Sequence, residues 1–268
     1  MTPIDALITA ARRYCRDNHS YWATRYSNER SGSDFPSYSY SDQDYDLFPR
    51  YNALTAILGE VEMLVGKKYP DITSCRNELA EAGLTAQSLF TKGNKNSIEI
   101  AAIQDERDKF ADFVLTITLG ELSLVEPLPY RRRLTADEKK TVRLQLLERW
   151  KYDGDYWDPP ESKCPTEFLF LATDHLTKAD YEATIHFIGE HATFPLLETT
   201  EDGTDSEIDQ SEFHPNCYET ICCDHTYQWV VYGSHESTIT FAGYQLLTFI
   251  RKLFTGREHL FNQWPKYA

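Results

Sequence analysis

The sequence predicts an α+β fold: an N-terminal antiparallel bundle of about five helices, followed by a small antiparallel β-sheet with two or three helices. Three observations carry this. Apolar residues recur at helical spacing through residues 1–150. From residue 166 onward the apolar runs become short and strand-like, with turn residues between them. Residues 151–165 (KYDGDYWDPPESKCP) form a turn-rich connector and mark the expected boundary between a helical bundle (1–150) and an α+β domain (166–268). A single continuous core is the other arrangement open to a chain of 268 residues.

Thr2-Pro3 reads as an N-cap followed by proline at the first helical position. Ile4, Leu7, Ile8, Ala11, Tyr14, Cys15 and Trp22 then line a helix expected to reach about Tyr26. Ser31 to Asp42, with Gly32 and Pro36 among serines and tyrosines, reads as a loop bearing exposed aromatics. A second helix is expected over Phe48–Val65, with Gly66 just past its end. A third is expected over Ile72–Phe90, capped by Asp71, and a fourth from Asn96 to Leu122, stopped by Pro127 and Pro129. Thr135 and Glu138 make a capping box for a fifth, ending near Trp150. Short connections between such helices favour antiparallel packing.

After the connector, Glu167–Ala172 and Thr193–Glu198 read as strands on either side of a helix over Lys178–Glu190. Glu201–Glu212 reads as an acidic loop. Tyr218–Cys223, Gln228–Ser234 and Ser237–Phe241 form an expected meander, with a last helix over Tyr244–Phe254 and an aromatic tail (Phe261, Trp264, Tyr267).

The net charge of −15 is uneven: residues 1–133 carry −3 and residues 134–268 carry −12. Glu198 to Asp224 holds nine acids and no lysine or arginine. Such a field disfavours nucleic acid, whose phosphates need basic contacts, and favours a basic protein partner. No apolar run approaches the roughly 20 residues of a membrane span, and Asp5 with Arg12 and Arg13 gives the wrong charge order for a signal peptide. The expectation is a cytoplasmic protein with its six cysteines as thiols.

His214, Cys217 and His225 lie close in sequence with Cys222 and Cys223 and are weak metal candidates. Their spacing does not match a zinc knuckle, and adjacent residues on a strand point to opposite faces. Ser234-His235-Glu236 places three catalytic residue types in a row, but neighbours on an extended chain diverge, so a turn between strands is the better reading. His225 and His235 remain conceivable general bases. Asp153, Asp155, Asp158 and Glu161 do not follow the order of a calcium loop. No phosphate-binding glycine loop is present. Arg131-Arg132-Arg133 reads as an internal partner for the acidic half.

No cofactor and no catalytic residue is therefore expected. The leading expectation is a non-enzymatic acidic binding protein, of the kind that inhibits or confers immunity to a basic protein such as a nuclease toxin. Its expected partner face is Glu201, Asp202, Asp205, Glu207, Asp209 and Glu212 with the apolar and aromatic anchors Phe213, Tyr218, Trp229 and Tyr232. A metal-dependent or histidine-based hydrolase, with its site in residues 175–235, is the alternative. A scaffold component of a multiprotein system is the third.

Overall fold

The computed structural model describes residues 1–30, 39–159, 163–164 and 166–264. Most of the expected aromatic loop after Ser31, together with Glu161 and Tyr267, lies outside the described residues. The chain divides into two compact units, Met1–Leu128 and Pro129–Ala268.

The first unit is helical: α1 (Pro3–Glu29), α2 (Asp42–Met63), α3 (Ile72–Thr85), α4 (Ser97–Thr116) and the short α5 (Leu119–Leu122). Local chemistry sets each start. Thr2, Ser41, Asn96 and Thr118 close capping boxes with the acid three residues on, and Asp71 caps α3 by accepting from Ser74 N. The Ser41–Asp44 box starts α2 earlier than the sequence reading, and the helix runs through Pro49. Leu7, Ala11 and Cys15 of α1 pack with Ile57 and Val61 of α2, Leu79 of α3, and Phe110 and Val114 of α4. A Cβ on Gly83 would enter the Phe110 ring, so this glycine permits the close approach of α3 to α4. Within this core Arg12 faces Glu62 at 3.5 Å, both buried.

The second unit contains β1 (Arg131–Arg133), α6 (Ala136–Trp150), β2 (Phe168–Ala172), α7 (Lys178–His191), β3 (Leu196–Thr200), β4 (Asp205–Ile208), β5 (Thr220–Cys223), β6 (Val230–Ser234), β7 (Thr238–Ala242) and α8 (Tyr244–Leu253). Its strands form one seven-stranded antiparallel sheet in the order β1-β4-β3-β5-β6-β7-β2. The α+β class holds, and the sheet is larger than the small one expected. The helix expected as the fifth of the bundle is α6, which belongs to the sheet unit, so the division falls at Leu128 and not at the connector. The reason is packing. Val142, Leu146 and Trp150 of α6 join Tyr152 and Trp157 of the connector against Leu197, Ile221, Cys223, Val230 and Tyr232.

The opposite sheet face packs on α7 and α8: Leu171, Leu196, Ile208, Cys222, Val231, Ile239 and Phe241 meet Ile188, Leu246, Ile250 and Phe254. Strand alternation thus sends Cys222 and Cys223 into separate cores, as the sequence implied. The two sheet edges are guarded differently. Asn262 bonds both backbone groups of Phe170 on β2, while β1 is short and all arginine.

Two strands were hidden in the sequence. β4 lies inside the expected acidic loop, and β1 is the arginine run itself; each pairs with the other residue by residue, Arg132 opposite Glu207. No helix among the described residues is long and apolar enough to cross a membrane.

Candidate functional site

The acidic segment does not form an open negative surface. Arg131 bridges Glu198 at 2.7 Å and Glu212 at 3.3 Å. Arg132 bridges Glu138 and Glu207, each at 2.9 Å, and Tyr130 donates to Glu207 as well. Arg143 makes a two-pronged bond to Asp205, at 2.7 and 2.8 Å, and a third to Thr200 O. Burial works to raise the Glu207 pKa, yet the bonds from Arg132 and Tyr130 prevail and lower it. The arginine run is the internal partner of the acids, as its position suggested.

The remaining acids are engaged locally. Asp202 accepts from Thr200 Oγ1 and Thr204 N, Asp209 caps a 3-10 turn through Ser211 N, and Asp224 accepts from Thr193 N and Thr226 N. Of the nine, Glu201 is exposed and makes no such side-chain bond among the described residues.

The expected partner face is corrected accordingly. Asp205, Phe213 and Tyr232 are 2%, 1% and 1% exposed and cannot meet a partner. Glu207 and Glu212 are held in ion pairs, and Trp229 packs into the core beneath α7 and α8. Tyr218, 74% exposed, Glu201 and Asp202 lie exposed on the surface. The weak metal candidates do not converge either. Cys217 Sγ donates to His214 O at 2.7 Å, and His225 Nε2 lies 3.5 Å from Glu207. No group of three histidine, cysteine or acidic side chains among the described residues could hold a metal ion. Burial, then Glu198, pushes the Cys217 thiol up to about 11, so it is a poor thiolate.

What the structure assembles instead lies where β5 begins and β6 turns into β7. The turn read from the sequence at Ser234-His235-Glu236 falls between Ser234 and Thr238, closed by Ser237 N to Ser234 O at 3.2 Å with Ser237 at φ +55°. His235 sits on this turn. Beneath it is Glu219, buried, at φ +44°, a left-handed conformation that costs a non-glycine residue energy. The Glu219 carboxylate accepts from Tyr232 Oη and from His235 N (2.7 Å), and it is in hydrogen-bond contact with His235 Nδ1. Tyr232 Oη in turn accepts from Trp157 N at 3.2 Å.

A glycine makes this arrangement possible. A Cβ on Gly233, in the middle of β6, would run into the Cys217 carbonyl. The Cys217–Glu219 backbone therefore crosses β6 at close range and delivers the Glu219 carboxylate under the turn. The sequence reading missed Glu219; a glycine inside a strand-like run is the signal that could have pointed to it.

Above the pair, the Tyr156 and Tyr218 rings stand 5.4 and 6.0 Å from the His235 ring, and Glu236 lies 3.2 Å from His235 Nε2. The bond to Glu219 comes first among the influences that raise the His235 pKa, with Glu236 and Glu201 adding to it. The result is a half-exposed imidazole held by a buried carboxylate, framed by two tyrosines and ringed by carboxylates. Chemically it offers attraction for a cation, aromatic faces for it to lie on, and a proton that can leave.

Comparison with protein-family models, curated proteins and solved structures yields no match to this chain.

Proposed function

We propose that this chain is a non-enzymatic binding protein, and that the His235 turn is where it receives a basic side chain of a protein partner. The observation that supports this most is the exposed Tyr218 ring beside His235, which Tyr156 also contacts, with Glu201 and Glu236 close to the same imidazole. An arginine or lysine laid on the exposed Tyr218 ring would meet a cation–π face and the nearby carboxylates together. The rest of the acidic half contributes long-range attraction, which speeds encounter more than it tightens the complex. An inhibitor of a basic enzyme such as a nuclease fits this chemistry, because surfaces that grip phosphate are positive.

The test uses two immobilised chains, wild type and Glu201→Lys/Tyr218→Ala, exposed to the source organism's lysate at low salt. Both changes lie on exposed side chains, so folding should be preserved. The expected result is a basic protein held by the wild type, released by salt and lost from the double variant. Equal retention by both chains, or none by either, contradicts the proposal.

One observation favours histidine-based acid–base chemistry as the second reading. A buried Glu219 orients His235 as an acid orients a catalytic imidazole. The second ring nitrogen, however, faces Glu236, a carboxylate, and not a hydroxyl or thiol whose proton the imidazole could take. The cavity beside it, lined by Tyr156, Tyr232, Ser234 and Thr240, measures about 20 Å³, room for a water and not for a substrate.

A further inference from the structure

A second cavity in this unit is far from the His235 turn in character. It is an open groove of about 570 Å³ between α7 and α8. That volume lies within the range of small-molecule sites, roughly 300–1,000 Å³. Its floor is a column of flat rings: Phe187 stacks on His191 at 4.2 Å and 19° and on Phe249 at 4.3 Å and 13°. Tyr244, 87% exposed, stands at the start of α8 on the same groove. Side chains of this kind are usually spent in a core. Here they line a solvent-open space.

The walls carry one acid and one base, on different helices. Glu190 is the acid of the groove, and it lies 3.4 Å from His186 Nε2, a partner on its own helix. Lys252 of α8 also lines the groove and enters no ion pair among the described residues. Its neighbour Arg251 is drawn away to Glu167. Gln245 and Thr248 add an amide and a hydroxyl between them. In a chain of net charge −15, a ring-lined groove with an unengaged lysine is a local exception.

We infer that the α7–α8 groove binds a planar aromatic anion, its ring laid along the Phe187–Phe249 column and its anionic group toward Lys252. Ring stacking favours a flat occupant, and the lysine selects a negative one against its neutral counterpart. This site is independent of the partner surface at His235 and stands or falls separately.

The probes are 8-anilinonaphthalene-1-sulfonate and its uncharged analogue N-phenyl-1-naphthylamine, titrated by fluorescence. The proteins are wild type, Lys252→Glu and Tyr244→Ala, with thermal melts to confirm that each is folded. Both substitutions are on exposed side chains. The expected result is saturable binding of the sulfonate dye, weakened roughly five- to tenfold by Lys252→Glu while the neutral dye is unaffected. Tyr244→Ala should weaken both dyes. The inference is overturned by any of three outcomes: no saturable binding, sulfonate binding indifferent to Lys252→Glu, or equal loss of both dyes in that variant.

Discussion

Replacing Arg143 with alanine is expected to destabilise the second unit by about 3–5 kcal/mol, the usual consequence of leaving a buried carboxylate without its partner. Asp205 is the carboxylate: its side chain is wholly buried, and both oxygens are taken by the Arg143 fork. The same arginine holds Thr200 O, so the turn between β3 and β4 loosens with it. Arg143→Lys keeps the charge and loses the fork, and should fall between wild type and alanine. Urea unfolding followed by tryptophan fluorescence reads the right unit, because four of the five tryptophans (Trp150, Trp157, Trp229 and Trp264) lie in it. A loss under about 1 kcal/mol would mean that Asp205 finds water or another donor, at odds with its burial.

Gly233→Ala should cost about 1–3 kcal/mol, the range for forcing a methyl into a packed site. The added carbon meets backbone of Cys217 and not the end of a flexible side chain, so relief requires the whole Cys217–Glu219 crossing to move. The effect is therefore double. Stability falls, and His235, deprived of the Glu219 carboxylate, should return toward the ordinary imidazole pKa. A variant that loses stability while His235 keeps its raised pKa would show that the crossing does not deliver Glu219.

These two positions also show what the sequence disclosed. Helix starts were legible because they are local: Thr2, Asp71, Asn96 and Thr135 name their own caps within three residues. The alternation of Cys222 and Cys223 between two cores followed from strand geometry alone. β4 was not legible, because Asp205 and Glu207 read as solvated acids. They are strand residues only because Arg143 and Arg132, 62 and 75 residues away in the chain, neutralise them. Counting charge along the chain cannot see such pairs, and it overstated the acidic face. For the same reason α6 was grouped with the helices before it, although its apolar stripe is complementary to the sheet.

The site was half legible. His235 and the turn around it were visible, and so was Tyr218. The role of Glu219 was not, since it depends on a left-handed backbone and on a glycine fourteen residues later in the chain. Tyr156 reaches His235 from the connector, which the sequence identified as turn-rich but could not aim.

The most direct test follows the His235 imidazole by nuclear magnetic resonance across a pH titration, with and without a hexa-arginine peptide. A cation bound at Tyr218 beside His235 repels the imidazolium, so peptide binding lowers the His235 pKa. By linkage the peptide binds more tightly as pH rises and His235 loses its proton. The expected result is a free-protein pKa above the ordinary histidine value that falls when the peptide is saturating. A His235 titration unchanged by the peptide would contradict the assignment of this turn as the partner site.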